Sequence, residues 1–134
     1  IPVCAHVGSR PQRVALSGGY RSAGRTRKDQ ARVVRDARAL QDAGASMLLV
    51  EAVPEETTRK LLKATSVPVI GIGAGPACHG QVLVLQDLLG LSDRPPTFAQ
   101  PAADVGQVLI AAARSWRERV AARSVGPSPY SMRR

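Results

Sequence analysis

Four short apolar runs, Pro2–Val7, Met47–Val53, Val67–Ile72 and Val82–Leu85, set the limits on what this chain can fold into. None alternates strictly between apolar and polar residues, and each is rich in Val, Ile or Leu. Such runs read as strands buried on both faces, the texture of a parallel sheet. Helical patterns separate them. Asp29 to Ala43 sets Val33, Val34, Ala37 and Leu40 on one stripe, with arginines on the other side and Gly44 as a stop. Pro54-Glu55-Glu56 opens a second helix, to about Thr65, with proline and acids in its first turn as the helix dipole favours. A third, from Ala103 to Arg123, carries Val105, Val108, Leu109, Ala112, Trp116 and Val120 on a stripe, and GPSPYSMRR after it reads as a loose tail. Strands alternating with helices imply a parallel α/β sheet with right-handed crossovers. Four strands make either a small open sheet or the second half of an eight-stranded barrel, which typically takes about 250 residues.

In both architectures ligands sit at the carboxyl ends of the strands. Those ends carry His6-Val7-Gly8, Glu51-Ala52-Val53-Pro54, Gly71 to Gly75, and Gln86-Asp87. Glu51 follows MLLV directly, a costly place for a charge unless it is paired or in use. VPVIGIGAG, Val67 to Gly75, raises the question of a dinucleotide cradle. The spacing Gly71, Gly73, Gly75 is not Gly-x-Gly-x-x-Gly, and Pro76 stands where a helix would have to start. Two readings stay open there, a tight turn and bare backbone that a ligand approaches.

Composition narrows the classes. The chain has 134 residues and 44% hydrophobic content, enough for one domain with its own core. No stretch approaches 18 apolar residues, and the first residues lack the pattern of a secretory signal. Cys4 and Cys78 stand apart, without CxxC spacing, so two free thiols in a reducing cytoplasm are expected. The formal charge is +9, with cations concentrated between Arg10 and Arg38 and between Arg114 and Arg134. That balance allows a basic nucleic-acid-binding module as an alternative. An aromatic content of 3% leaves few platforms for base stacking, so a solvated basic surface without specific nucleic-acid recognition is the expectation. IPVCAHVG reads as a buried strand from Ile1 onward, and the sequence is expected to be a piece of something longer.

Five blocks then carry a resemblance. IPVCAHVGSRPQ, GGYRSAGR, LLVEAVPEE, VPVIGIGAG and HGQVLVLQDLLG, collinear over residues 1 to about 122, resemble the C-terminal half of the ketopantoate hydroxymethyltransferase family. The resemblance implies a (β/α)8 barrel of the phosphoenolpyruvate/pyruvate type, with residues 1–123 as about four βα units, 124–134 as a flexible basic tail and the N-terminal half missing. It implies transfer of a one-carbon unit from 5,10-methylenetetrahydrofolate to 3-methyl-2-oxobutanoate, giving 2-dehydropantoate in pantothenate synthesis. By resemblance Glu51 is the proton acceptor and His6 a substrate-binding residue near the reacting carbon. Gly71, Gly73 and Gly75 become a strand exit with room for substrate. Mg²⁺ is implied as cofactor, with its ligands in the missing half and none in this chain. A cytoplasmic homo-oligomer, the family decamer, is implied as well.

The sequence also departs from the family pattern. The usual DGQ is His79-Gly80-Gln81, the HD pair is Gln86-Asp87, and the glycine before the first-motif histidine is Ala5. His79 invites a metal reading, but no second ligand stands at a suitable spacing. The loop from Gly18 to Arg25 reads either as a lid or subunit contact, or as a plain connection. These departures leave a second alternative beside the enzyme, a non-catalytic remnant acting only through partner chains.

Overall fold

The computed structural model describes residues Ile1–Met132, with Arg13, Val14 and Ser17 described by backbone only. Arg133 and Arg134, the end of the expected basic tail, lie outside the described residues. The chain divides into two compact units, Ile1–Leu83 and the segment from Val84 onward.

The first unit is α/β. Its order is β1 (Cys4–Gly8), a 3-10 turn at Pro11–Arg13 running into the one-turn α1 (Val14–Ser17), α2 (Arg27–Asp42), β2 (Met47–Glu51), α3 (Glu55–Ala64), β3 (Val69–Ile72) and β4 (Gly80–Gln81). The four strands make one sheet in the order β1-β2-β3-β4, and every neighbouring pair is parallel. The chain returns through α2 from β1 to β2 and through α3 from β2 to β3, whereas only the turns of residues 73–79 join β3 to β4.

Local chemistry sets the helix ends. The Thr26 hydroxyl accepts the Asp29 backbone N–H at 3.2 Å and caps α2. At the other end Gly44, at φ +97°, donates to the Gln41 carbonyl and Ala45 donates to the Leu40 carbonyl. This Schellman arrangement satisfies carbonyls that a helix end would leave bare. Glu55 and Glu56 occupy the first turn of α3, and Glu56 pairs with Lys60 one turn on.

Along each strand, alternate residues go to opposite faces. Ala5, Val7, Leu48, Val50 and Val69 are buried with Val33 and Ala37 of α2 and Leu61 of α3. Each Val or Leu removed from water there stabilises the fold by about 1.5–3 kcal/mol before chain entropy is counted. The opposite face carries Met47, Leu49 and Ile70, all only half-buried. Burial on both faces, expected from the apolar runs, therefore does not hold within this unit. Helices of this unit cover one face of the sheet; on the other, within the unit, only Ile72 at the end of β3 is buried.

The fourth strand also differs from expectation. Gly80 and Gln81 pair with Ile70 and Gly71, whereas Val82, Val84 and Leu85 of the apolar run are exposed. Backbone pairing ends with the Val82 N–H on the Gly71 carbonyl, so the run VLVL has no strand to continue along. Leu85 instead begins α4 (Leu85–Leu88) in the second unit. That unit continues through an irregular segment to α5 (Val105–Ala121), capped by Asp104. Ala102 and Val105 donate to the Leu88 and Leu89 carbonyls, tying the start of α5 to the end of α4. The expected apolar stripe of α5 is present in sequence but unburied: Val108, Leu109, Trp116 and Val120 are all exposed. No helix among the described residues is long and apolar enough to cross a membrane.

Candidate active site

Glu51 is the last residue of β2 and stands in register with Gly8 and Ile72, the last residues of β1 and β3. Its side chain belongs to the sheet face opposite these helices, by alternation from the buried Val50. His6 lies on the same face of β1, two residues before its end. The two side chains meet, with His6 Nε2 3.2 Å from Glu51 Oε2. Distance alone does not make this an aligned hydrogen bond. Nε2 is buried and has no hydrogen-bond partner of acceptable direction. The imidazole is therefore close enough to feel the carboxylate while its nitrogen stays buried and unsatisfied. Such loose alignment is common in sites that tighten around substrate.

Burial pushes the Glu51 carboxyl above the ordinary carboxylate range, and the nearby His6 opposes that shift without cancelling it. No lysine or arginine neutralises Glu51 among the described residues. A desolvated carboxylate of this kind is suited to accept a proton.

The backbone around Glu51 is held from three sides. Its carbonyl accepts the Ser9 N–H at 2.8 Å, the Ala52 N–H donates to the Ile72 carbonyl at 2.9 Å, and the Ala52 carbonyl accepts the Ala23 N–H at 3.0 Å. Ala52 sits at φ +48°, a left-handed conformation that a residue with a side chain adopts at a cost. Gly8 has no such latitude. A Cβ on it would lie 2.3 Å from the Glu51 carbonyl oxygen. The strain and the close approach both occur within one residue of Glu51 or of its register partner.

Gly71 is a different case from the other candidate residues. It is buried on the helix-covered side, in one row with Val7 and Val50, and not on the face of His6 and Glu51. A Cβ on Gly71 would meet the Cys78 Sγ at 2.6 Å. Its bareness makes room for this thiol, which burial holds in its protonated form. Gly73 and Gly75, at φ +60° and +79°, turn the chain after β3, and Gly75 packs against the Glu55 side chain. His79 is engaged in the sheet: its Nδ1 accepts the Val69 N–H at 3.0 Å, while its backbone N–H donates to the Val69 carbonyl. Asp87 is buried in the second unit.

Two residues that sequence reasoning passed over hold the loops beside the site. The Thr58 hydroxyl donates to the Ala74 carbonyl at 2.7 Å, and the Thr57 hydroxyl donates to the Gly24 carbonyl at 3.0 Å. Gln30 donates to that same Thr57 oxygen. The signal was legible, because two fully buried threonines share the α3 stripe with Leu61. Polar residues on a core-facing stripe need partners, and here the partners are loop carbonyls.

The described residues do not by themselves gather a Mg²⁺ site. Among them no three of His, Cys, Asp and Glu come together, and magnesium takes oxygen ligands in near-octahedral geometry.

Fold and site together define an α/β protein with a carboxylate and an imidazole set at the carboxyl edge of a parallel sheet. The sequence model of the ketopantoate hydroxymethyltransferase family matches residues 1–127. A 3-methyl-2-oxobutanoate hydroxymethyltransferase from Pyrobaculum islandicum is 46% identical over 120 residues, covering 90% of this chain and 46% of the relative. Relatives of the same name from Caldivirga maquilingensis and Cenarchaeum symbiosum are 44% identical over 129 residues and 48% over 121. They cover 96% and 90% of this chain, and 48% and 46% of their own lengths are matched. The chain belongs to the ketopantoate hydroxymethyltransferase family. It spans about half the length of the curated relatives it matches.

Proposed function

We propose that this chain forms the C-terminal half of a (β/α)8-barrel hydroxymethyltransferase of pantothenate synthesis, with Glu51 as the proton acceptor. The observation that carries the reading is the Glu51–His6 pair at the strand ends, partly desolvated and without a fixed cation. The sheet face opposite the helices fits it, since that face would line a closed barrel. In this reading Glu51 takes the C3 proton of 3-methyl-2-oxobutanoate. The electron pair left behind forms an enolate, whose C3 then bonds to the methylene carbon of 5,10-methylenetetrahydrofolate. Water supplies the hydroxyl oxygen as both bonds from that carbon to folate nitrogens break, and the C3 proton and one proton of the water pass to the two nitrogens of the departing tetrahydrofolate. His6, with its uncommitted nitrogen, hydrogen-bonds substrate or product beside the reacting carbon. Magnesium, which the family resemblance implies, would be held by carboxylates of the N-terminal half and would stabilise the enolate's charge. A cytoplasmic homo-oligomer belongs to the same proposal.

The test is solvent deuterium exchange at C3 by the complete protein, without and then with the folate donor. Exchange and product formation are expected. A complete protein that catalyses neither, while folded, would leave the non-catalytic remnant as the better reading.

A further inference from the structure

A cavity of about 290 Å³ opens beside the candidate active site, and nothing in the proposed chemistry uses it. Gly8, Ser9 and Arg10 line one side, Tyr20 and Arg21 belong to the loop on another, and Arg32 projects from the first turns of α2. Gly8 is the register partner of Glu51, and the Ser9 N–H is bonded to the Glu51 carbonyl. The cavity therefore begins at the backbone that holds the proton acceptor.

Its charge is positive after internal pairing. Arg10 Nη2 stands 3.2 Å from Asp36, and Arg32 binds Asp29. Arg32's hydrogen bond holds the Asp29 carboxyl below the usual range, and its second oxygen accepts the Gly24 N–H. Asp29 is thus fully engaged. Arg21 has no ion-pair partner among the described residues. Three arginines against two carboxylates leave one positive charge unmatched. Each guanidinium has five N–H donors, and neither Arg10 nor Arg32 spends all of its own. Tyr20, largely exposed, adds an aromatic face to the cationic lining.

We propose that this cavity is a carboxylate subsite for the glutamate end of the folate donor. The inference rests on the hydroxymethyltransferase reading and deepens it. The donor is a long molecule whose methylene carbon reacts at one end and whose carboxylates lie at the other, past a benzoyl ring. A site that keeps the methylene near Glu51 must hold or release that far end. Planar guanidinium groups suit carboxylates in a fixed two-bond geometry, and Tyr20 suits the ring. The cavity is too small for a macromolecule and sized for one end of a ligand.

The experiment is steady-state kinetics on the complete protein with 5,10-methylenetetrahydrofolate and with 5,10-methylenetetrahydropteroate, which lacks the glutamate. Arg21→Ala is expected to raise the KM for the folate about tenfold, as loss of one charge-assisted bond implies, and to leave the KM for the pteroate within about twofold. Arg21→Lys should fall between, since it keeps charge but not the fork. Lys28→Ala, which removes a nearby charge outside the cavity, should change neither value. An unchanged folate KM in Arg21→Ala, or an equal rise with the pteroate, would overturn the subsite. Should the complete protein make no product, the function reading fails and calorimetry with p-aminobenzoylglutamate decides the cavity separately. Binding that Arg21→Ala weakens about tenfold would sustain the subsite. Absent binding, or equal binding of inorganic phosphate, would overturn it.

Discussion

Glu51 combines a raised proton affinity with a place on the chain that the backbone holds tightly. Replacing Glu51 by Gln keeps its size and most of its hydrogen bonding but removes the base. In the complete protein, C3 exchange should fall by roughly 10²- to 10⁴-fold, with a much smaller change in substrate KM. Exchange at the wild-type rate in Glu51→Gln would assign proton transfer to another group. The same residue links stability to pH. Between the ordinary carboxylate value and the raised one, the folded protein keeps a proton that the unfolded chain has released. The stabilising contribution is present below that window and is lost as pH rises through it. Urea melts at pH steps from about 4 to about 8 should therefore give a falling contribution in wild type that Glu51→Gln lacks. Next to it, Ala52 holds a left-handed conformation. Glycine there removes about 1–2 kcal/mol of conformational strain and adds about 0.4–1 kcal/mol of unfolded-state entropy, so Ala52→Gly should be stabilising by between about 0 and about 1.6 kcal/mol. Ala52→Val should be destabilising, and thermal melts of the two variants check the signs.

At the scale of elements, α3 links the proton acceptor to the loops around it. It starts four residues after Glu51, and its buried hydroxyls fasten the Gly24 loop and the turn after β3. Thr58→Val is nearly isosteric and leaves the Ala74 carbonyl without its donor, at a cost of about 1–3 kcal/mol. Denaturant midpoints should show the loss, and hydrogen exchange should locate it at residues 73 to 75. Unprotected amides elsewhere, with these unchanged, would mean that Thr58 supports only its own helix. The helices themselves were legible because capping and periodicity are local: Thr26, Gly44 and the Val33–Ala37 stripe act within a few residues. The fourth strand was not legible. Gly80 and Gln81 carry little strand propensity and are recruited by pairing with Ile70 and Gly71, while the more apolar VLVL is left out.

Each of the two units leaves apolar residues incompletely buried: Met47, Leu49 and Ile70 on one sheet face of the first, and Val108, Leu109 and Val120 of α5 in the second. The 134-residue chain by itself should form no product from 3-methyl-2-oxobutanoate above a no-protein control, because it gathers no set of carboxylates able to hold magnesium among its described residues. Measurable turnover by that chain would show that the base and its neighbours suffice. Trp116 is the chain's single tryptophan and is half-exposed on α5, beneath Arg119. Its fluorescence in the isolated chain should be quenched by acrylamide to the extent of a half-exposed ring, and stronger protection would reveal a partner for that helix. The sequence by itself determined the strand–helix alternation, the helix limits and the candidate pair, since propensity, caps and apolar runs are properties of neighbouring residues. The resemblance carried by its five blocks also named the family to which the chain belongs. Only the tertiary structure decided that His6 and Glu51 touch, that Gly71 yields space to Cys78, and that Arg10, Arg21 and Arg32 share one cavity. Each of these joins residues from separate elements, and their approach depends on strand register and loop conformation, which nearest-neighbour chemistry does not set.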